Sequence, residues 1–192
     1  MNGLYSLKPW YADRLRPVRH LLVARAVSPH LISAAGVLAG AAAGLTLAVL
    51  RPGPVAGTAV FVLLALRLAL ANLDGAVARE TGTDSRFGSV VNEIGDRLAE
   101  LFALAGCVVL APAALVAVAA LAASTPSWVS LAGAAAGGTR LTGGPMGKTE
   151  RCLVLAIIAA VGWATPLLVV LAVGSLLTVL LRLWRLREVL PC

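Results

Sequence analysis

Acidic, amide and basic side chains crowd into one stretch of a sequence that is otherwise rich in alanine, leucine and valine. Residues 71–100 read ANLDGAVARETGTDSRFGSVVNEIGDRLAE. On a helix, Asn92, Asp96 and Glu100 would stand four residues apart and share one face. Asp74 precedes them, at the expected end of an apolar run. Two helix ends that present oxygen ligands to each other predict a site for a hard cation such as Mg²⁺ together with substrate phosphate.

An alternative interpretation assigns the same acids to ordinary ion pairs. Arg97 lies four residues after Glu93 and three before Glu100, so it can pair with either. Arg79 and Arg86 are further candidate partners in a solvated loop. The acids, however, lie within apolar helical runs, where ionisable side chains are costly and indicate function by default. The sequence therefore favours ion pairing for Arg97 and a functional site for the set as a whole.

The composition indicates a membrane protein with several spanning helices. The 192 residues are 59% hydrophobic and 13% charged, and the mean hydropathy of +0.91 is too high for a soluble domain. The net charge of +7 does not indicate nucleic-acid binding, because the bases punctuate apolar runs and form no surface interleaved with aromatic residues. Such bases are typical of loops that face anionic lipid headgroups.

The hydrophobic pattern predicts an all-α fold, in which an amphipathic helix at the membrane surface precedes six transmembrane helices. Residues 1–28 are expected to form the juxtamembrane segment, and residues 29–192 the six-helix domain. A bilayer core requires about 20 residues per helix, and the fifth span is the shortest, with a start that could lie earlier. The six spans are predicted over residues 31–50, 54–73, 87–110, 113–137, 152–163 and 166–183.

The distribution of basic residues predicts the orientation of these spans. Bases precede the first span, follow the sixth, and occupy the second-to-third and fourth-to-fifth loops, whereas Arg51 is the only base in the opposite loops. Cytoplasmic loops are enriched in Lys and Arg. We therefore expect a multi-pass protein of the cytoplasmic (inner) membrane, with both termini and the polar stretch at the cytoplasmic face.

The polar stretch resembles the signature of the CDP-alcohol phosphotransferase (CDP-alcohol phosphatidyltransferase) family. That signature reads Asp-x-x-Asp-Gly-x-x-Ala-Arg, a spacer, and Gly-x-x-x-Asp-x-x-x-Asp. The segments DGAVAR and GSVVNEIGD fall in its register with eight residues between them. VSPHLISAAGVLAG is similar to the opening of the family's first span, and GPMGKTERCLVLAI to the start of its fifth. The matching motif positions are Asp74, Gly75, Ala78, Arg79, Gly88 and Asp96.

The resemblance implies a membrane transferase of phospholipid biosynthesis. Such an enzyme moves a phosphatidyl group from a CDP-linked lipid, such as CDP-diacylglycerol, to a hydroxyl acceptor and releases CMP. The resemblance also implies one or two Mg²⁺ or Mn²⁺ ions, and it makes Asp96 the base that takes the acceptor's proton. The implied metal ligands are Asp74, Asn92 and Asp96, with Glu93 and Glu100 as further candidates, and the implied nucleotide contacts are Asp74, Gly75, Ala78, Arg79 and Gly88.

Two positions depart from the family's pattern. Ala71 replaces the first of the four signature aspartates and Asn92 the third. In the family all four surround a two-metal site, and two divalent cations with half that negative charge would repel each other strongly in a low-dielectric site. Three interpretations stay open. Asn72, Glu93 and Glu100 partly substitute, the protein works with one metal ion, or catalysis is lost and CDP-lipid binding is retained.

A second group of bases is the candidate acceptor site. Arg140, Lys148 and Arg151 lie together between the fourth and fifth spans. The bias of cytoplasmic loops toward positive charge explains them equally well. If they bind substrate, the acceptor is a phosphorylated polyol, such as glycerol phosphate or inositol phosphate. The expected partners are then a CDP-lipid donor, this acceptor and membrane lipids, without nucleic acid, and the resemblance implies a homodimer.

Two other functional classes compete with a working transferase. A catalytically impaired homologue would bind CDP-lipid as the partner of another enzyme, and Ala71 and Asn92 favour this alternative. A small transporter that uses intramembrane acids is favoured less. Its acids should be distributed across the bilayer, whereas these acids cluster at one cytoplasmic level.

Two features inside the predicted spans concern packing and charge. Arg67 lies in the second span, where it either extends its charged end to the interface or neutralises Asp74 two turns later. Gly36, Gly40 and Gly44 recur every four residues in the first span. This small-residue face predicts close helix packing inside the bundle, with a homodimer contact as the alternative.

Overall fold

The computed structural model describes residues 8–190, and all regular structure in this range is helical. This confirms the predicted all-α class. The chain forms α1 (Lys8–Arg14), α2 (Arg16–Ala24), α3 (Pro29–Val49), α4 (Pro54–Glu80), α5 (Arg86–Ala105), α6 (Ala113–Ala135), α7 (Lys148–Val161) and α8 (Ala164–Val189), with a 3₁₀ turn at Gly106–Val109 after α5.

Four of these helices are long and apolar enough to cross a membrane, by length and composition: α3, α4, α6 and α8. They identify the chain as a multi-pass membrane protein. The prediction of six spans is confirmed only for these four. The other two candidates fall short because α5 carries charged residues along its length and α7 has only 14 residues.

The boundaries near the polar stretch differ from those predicted. Helix α4 continues to Glu80, so Asp74 lies inside the helix rather than at its end. Helix α5 begins after Ser85, whose hydroxyl accepts a hydrogen bond from the Gly88 amide at 2.9 Å, a standard N-cap. Helix α7 begins at Lys148, four residues before the predicted start. In each case the helix extends over polar residues, whereas the hydropathy pattern places its boundary at the outermost apolar residue.

The glycine face of α3 packs inside the bundle, as predicted. Gly36, Gly40 and Gly44 are all buried within the chain. A Cβ at Gly40 would lie 2.5 Å from the carbonyl oxygen of Ala99 in α5, and one at Gly44 would overlap the carbonyl of Phe102. Only glycine permits this approach, so α3 and α5 touch backbone to backbone. The same face is therefore occupied within one chain and is not a free surface for a second copy.

Helix α2 packs across the end of the bundle where α3 begins and α4 ends. Leu22 and Val23 lie on a small apolar cluster formed by Ile32, Leu73 and Val77. On its polar side, Arg19 forms an ion pair of 2.7 Å with Glu80, the last residue of α4. Apolar contacts on one side and charges on the other are the amphipathic pattern predicted for this segment.

Candidate functional site

A cavity of about 1160 Å³ opens at one end of the helix bundle. The starts of α3, α5 and α7 meet the ends of α4, α6 and α8 at this end. Of the described residues predicted to form the site, Glu100 lies outside the lining. The cavity brings the others together: Asp74, Gly75, Ala78, Arg79, Gly88, Asn92, Glu93, Asp96, Arg140, Lys148 and Arg151.

Asp74 is held by neutral hydrogen-bond donors. Its side chain is buried, with 3% of its surface exposed. The Ser33 hydroxyl, on the first turn of α3, donates to Oδ2 at 2.7 Å, and the Gly75 amide donates to Oδ1 at 2.6 Å. No cation pairs with Asp74 among the described residues. Its charge is therefore left to act on a ligand in the cavity.

Asp96, in contrast, is held by two cations. The ammonium group of Lys148 pairs with Oδ2, and Nη2 of Arg67 donates to the Asp96 carbonyl oxygen at 2.8 Å and lies 3.4 Å from Oδ1. Both predictions for Arg67 are wrong. Its side chain is 2% exposed and does not extend to the interface, and it pairs with Asp96 rather than Asp74. The reason is that α4 and α5 both pack against α3, and the long Arg67 side chain spans the space between them to reach Asp96.

Glu100 and Glu93 belong to ion pairs. Glu100 accepts from Arg97 at 2.6 Å and pairs with Arg151, which also donates to the Met146 carbonyl at 2.9 Å. Glu93 pairs with Arg140 and lies 3.5 Å from Arg97. The prediction that Arg97 pairs with Glu93 or Glu100 is confirmed, since it contacts both. Glu100 points away from the cavity.

The candidate metal ligands and the candidate acceptor ligands are therefore partners of one another. One side of α5 faces the loop before α7 and the first turn of α7. At successive turns of α5, each acid on α5 faces one base on the other side of this boundary. The three pairs are Glu93 with Arg140, Asp96 with Lys148, and Glu100 with Arg151.

A second, much smaller cavity lies between α3, α4 and α5. Its volume is about 10 Å³, and Ser33, Asp74, Asn92 and Asp96 are among its lining residues. A space of this size holds about one water-sized particle. Two carboxylates and an amide oxygen form a donor set that suits Mg²⁺ or Mn²⁺, with substrate phosphate and water as the remaining ligands.

The donor set fits one ion better than two. Over residues 8–190, no group of three or more His, Cys, Asp or Glu side chains is arranged to hold a metal. Ala71 lines the small cavity without contributing a side-chain oxygen. The two positions that depart from the family signature thus lie on the cavity wall, where their missing charge matters most.

Three polar residues at this end of the bundle are not among the predicted site residues. Ser33 binds Asp74 and Arg67 binds Asp96. Arg182 donates to the Gly143 carbonyl at 3.0 and 3.1 Å and also to the Pro126 carbonyl, so it holds the loop that carries Arg140. A charge inside an apolar run is a signal of function, and it marks both arginines. Ser33 carries no charge, and its signal is its place in VSPHLISAAGVLAG, the segment that resembles the opening of the family's first span.

Comparison with known proteins places this arrangement in a family. The model of the family described as "CDP-alcohol phosphatidyltransferase" matches residues 26–185. A phosphatidylinositol phosphate synthase of Corynebacterium glutamicum is 32% identical over 199 residues, covering 95% of this chain and 88% of that protein. The inner membrane protein YnbA of Escherichia coli K12 is 29% identical over 156 residues, covering 80% of this chain and 77% of that protein.

Solved structures show the same fold. Phosphatidylinositol phosphate synthase of Mycobacterium tuberculosis, in a crystal structure with CDP-DAG bound, superposes with a TM-score of 0.70 over 89% of this chain and 92% of that one, at 23% identity. The same enzyme in complex with manganese and citrate gives a TM-score of 0.69 over 88% and 87%, also at 23% identity.

Proposed function

This chain belongs to the CDP-alcohol phosphatidyltransferase family, and we propose that it transfers a phosphatidyl group from CDP-diacylglycerol to a hydroxyl of inositol phosphate, releasing CMP. Family membership confirms the predicted class, a CDP-lipid transferase of phospholipid synthesis. The choice of acceptor is supported by the Corynebacterium relative, a phosphatidylinositol phosphate synthase, and by the basic residues that reach the cavity. Glycerol phosphate is the alternative acceptor.

One observation carries the proposal. Lys148, from the candidate acceptor site, contacts Asp96, the last aspartate of the signature, inside a cavity that Asp74 and Arg79 also line. A donor bound at the signature and a phosphorylated acceptor bound at the bases would therefore be neighbours. Reactions between two substrates gain most of their rate from such placement.

The donor would bind on the α4 and α5 side of the cavity. Arg79 supplies a charge-assisted contact to phosphate, and the Gly75 and Gly88 backbones allow a nucleotide to lie close. Asp74, Asn92 and Asp96 would hold Mg²⁺ or Mn²⁺. This ion supplies positive charge against the pyrophosphate and the departing CMP.

Asp96 would act as the general base once the acceptor has bound. The acceptor's phosphate competes with Asp96 for Lys148 and with Glu93 for Arg140, and the loss of the Lys148 contact frees a carboxylate oxygen of Asp96. Asp96 then takes the proton of the attacking hydroxyl. A bond forms between the acceptor oxygen and the phosphatidyl phosphorus, and the bond from that phosphorus to the CMP oxygen breaks. Arg151, buried against Glu100, would contribute to the acceptor site through its positive field.

We further propose that α5 and α7 complete six spans and that the cavity faces the cytoplasm. The basic residues in and next to the α4–α5 and α6–α7 loops, among them Arg79, Arg86, Arg140 and Lys148, lie at the cavity end, as positive-inside topology requires. The predicted surface segment, residues 1–28, and the predicted transmembrane domain, residues 29–192, would then place both termini in the cytoplasm, although residues 1–7 and 191–192 lie outside the described part of the chain. We expect a homodimer, with no nucleic-acid partner.

A binding protein without catalysis remains the alternative function. Ala71, Asn92 and the two cations on Asp96 favour it. It would bind CDP-diacylglycerol without releasing CMP. The transporter alternative receives no support from the family assignment.

The deciding experiment measures CMP release by the full chain in detergent or lipid. CDP-diacylglycerol is offered with inositol phosphate, glycerol phosphate or inositol, in Mg²⁺, Mn²⁺ or chelator. We expect metal-dependent release with inositol phosphate, and a decrease of at least about 100-fold in Asp96→Asn, because general bases contribute this much. Donor binding without CMP release from any acceptor would contradict catalysis.

A further inference from the structure

The small cavity beside the signature aspartates has a positive charge built into its wall. Arg67 lies one turn before Ala71 and two turns before Asp74, on the same face of α4. Its side chain is almost fully buried, and it reaches α5 through the contacts of Nη2 with the carbonyl and Oδ1 of Asp96. Arg67, Ala71, Asp74 and Asp96 all line the same space of about 10 Å³.

The stability of the fold does not account for this arginine. Its Nε is buried and lacks a hydrogen-bond partner among the described residues. Its Nη1 has a long contact of 3.9 Å with the Cys152 sulfur. An incompletely paired buried charge destabilises a protein compared with an apolar residue of similar size. The position of Arg67 is better explained by the cavity that it borders.

The negative charge around this cavity is too small to neutralise two divalent ions, which would carry four positive charges. Asp74 and Asp96 are the two carboxylates among its described lining residues, and Arg67 and Lys148 are the cations that contact Asp96. A second divalent ion would have two acids to share and would lie next to a guanidinium. At such short range in a poorly polarisable site, that repulsion is strong.

We propose that the site binds one divalent cation per chain, and that Arg67 is the fixed positive charge that takes the place of a second ion. The inference rests on the proposed function, since it concerns the ion expected to act on the CDP-lipid pyrophosphate. Arg67 is a positioning residue. It holds the Asp96 backbone and carboxylate from inside the protein.

The number of ions is tested by titrating the purified full chain with Mn²⁺ alone and measuring bound Mn²⁺ by electron paramagnetic resonance and calorimetry. We expect one Mn²⁺ per chain. In Arg67→Met we expect one Mn²⁺ bound at least about fivefold more tightly, because a neighbouring like charge is removed. Arg51→Met replaces an exposed arginine at the opposite end, and this control should bind Mn²⁺ like the wild type.

Two Mn²⁺ ions per chain, or none, in the wild type would overturn the inference. Unchanged or weaker Mn²⁺ binding by a folded Arg67→Met would overturn it as well.

A second variant keeps the test decisive if Arg67→Met does not fold. Ala71→Asp combined with Asn92→Asp restores the signature carboxylates and leaves Arg67 in place. We expect this variant still to bind one Mn²⁺, whereas two would show that Arg67 does not occupy the second position. In the variant that combines Arg67→Met, Ala71→Asp and Asn92→Asp, we expect two Mn²⁺ per chain.

CMP release from CDP-diacylglycerol, measured on the same samples, separates this inference from the proposed function. Two ions together with CMP release would overturn the one-ion site and leave the transferase intact. One ion without CMP release from any acceptor would overturn the transferase and leave the one-ion site intact.

Discussion

At the scale of single residues, the two remaining signature aspartates differ in how they are held. Asp74 accepts hydrogen bonds from a hydroxyl and an amide, whereas Asp96 is paired with two cations. The first is ready to hold a metal ion. In the proposed mechanism, the second becomes available when a substrate draws Lys148 away, and its reactivity would then depend on the acceptor.

Replacing Lys148 should therefore affect the acceptor more than the donor. For Lys148→Ala we expect the KM for inositol phosphate to rise by at least about tenfold, the size of one lost charge-assisted contact, with the KM for CDP-diacylglycerol nearly unchanged. Steady-state CMP release measures both, and Arg51→Ala is the control. Equal increases in both constants would show that Lys148 does not select the acceptor.

Ser33 should matter through Asp74. Loss of a group that orients a metal ligand costs about 10- to 100-fold in metal affinity, so Ser33→Ala should raise the Mg²⁺ concentration needed for half-maximal CMP release by at least about tenfold. Ser124→Ala is the control, since the Ser124 hydroxyl also donates a hydrogen bond, but to the Ala120 carbonyl at 3.0 Å within α6. An unchanged Mg²⁺ requirement would leave Ser33 a packing role only.

At the scale of helices, the site depends on how closely α3 approaches α5. Gly40 and Gly44 remove the side chains that would separate the two helices. Helix α5, which carries Asn92 and Asp96, is thereby held against Ser33 and the wall of the small cavity.

Gly40→Ala tests this contact, because its Cβ would meet the Ala99 backbone. We expect overpacking to lower the free energy of unfolding by about 1–3 kcal/mol, seen as a lower thermal midpoint of tryptophan fluorescence in detergent. Gly36→Ala lies on the same face but would meet only the Leu70 Cβ, at 3.7 Å, so its midpoint should change little. If both variants unfold at the wild-type temperature, the close approach is not needed.

The helices and the motif could be predicted from sequence because their signals are local. Apolar runs predict α3, α4, α6 and α8, and the signature identifies Asp74 and Asp96. The contact of Arg67 with Asp96 and that of Ser33 with Asp74 join residues 29 and 41 positions apart. They depend on the angles and rotations of packed helices, which periodicity does not specify. For the same reason, the pairing of α5 acids with α7 bases could not be predicted.

At the scale of the whole molecule, polar chemistry is confined to one end. The cavity and its ion pairs lie there, whereas Arg51 lies in the α3–α4 connection at the other end. This asymmetry is what a membrane enzyme with a water-soluble acceptor and a lipid donor requires.

Labelling of single cysteines tests the proposed orientation. In a variant whose native cysteines are replaced by serine, Asp84→Cys marks the cavity end and Arg51→Cys the opposite end. We expect a membrane-impermeant maleimide to label Arg51→Cys in intact cells, and Asp84→Cys only after permeabilisation, because bases mark the cytoplasmic side. The reverse pattern would place the cavity outside the cell.

The buried pair of Glu100 with Arg151 fixes the angular setting of α5. One residue of rotation turns a helix by about 100°. Such a turn would carry Asp96 out of the cavity and strand two charges in apolar surroundings, at a cost of several kcal/mol. Helix α5 is therefore expected to keep its rotation during the proposed reaction, with Asp96 fixed in the cavity. On that proposal, the lipid donor diffuses laterally within its leaflet until its headgroup reaches Asp96.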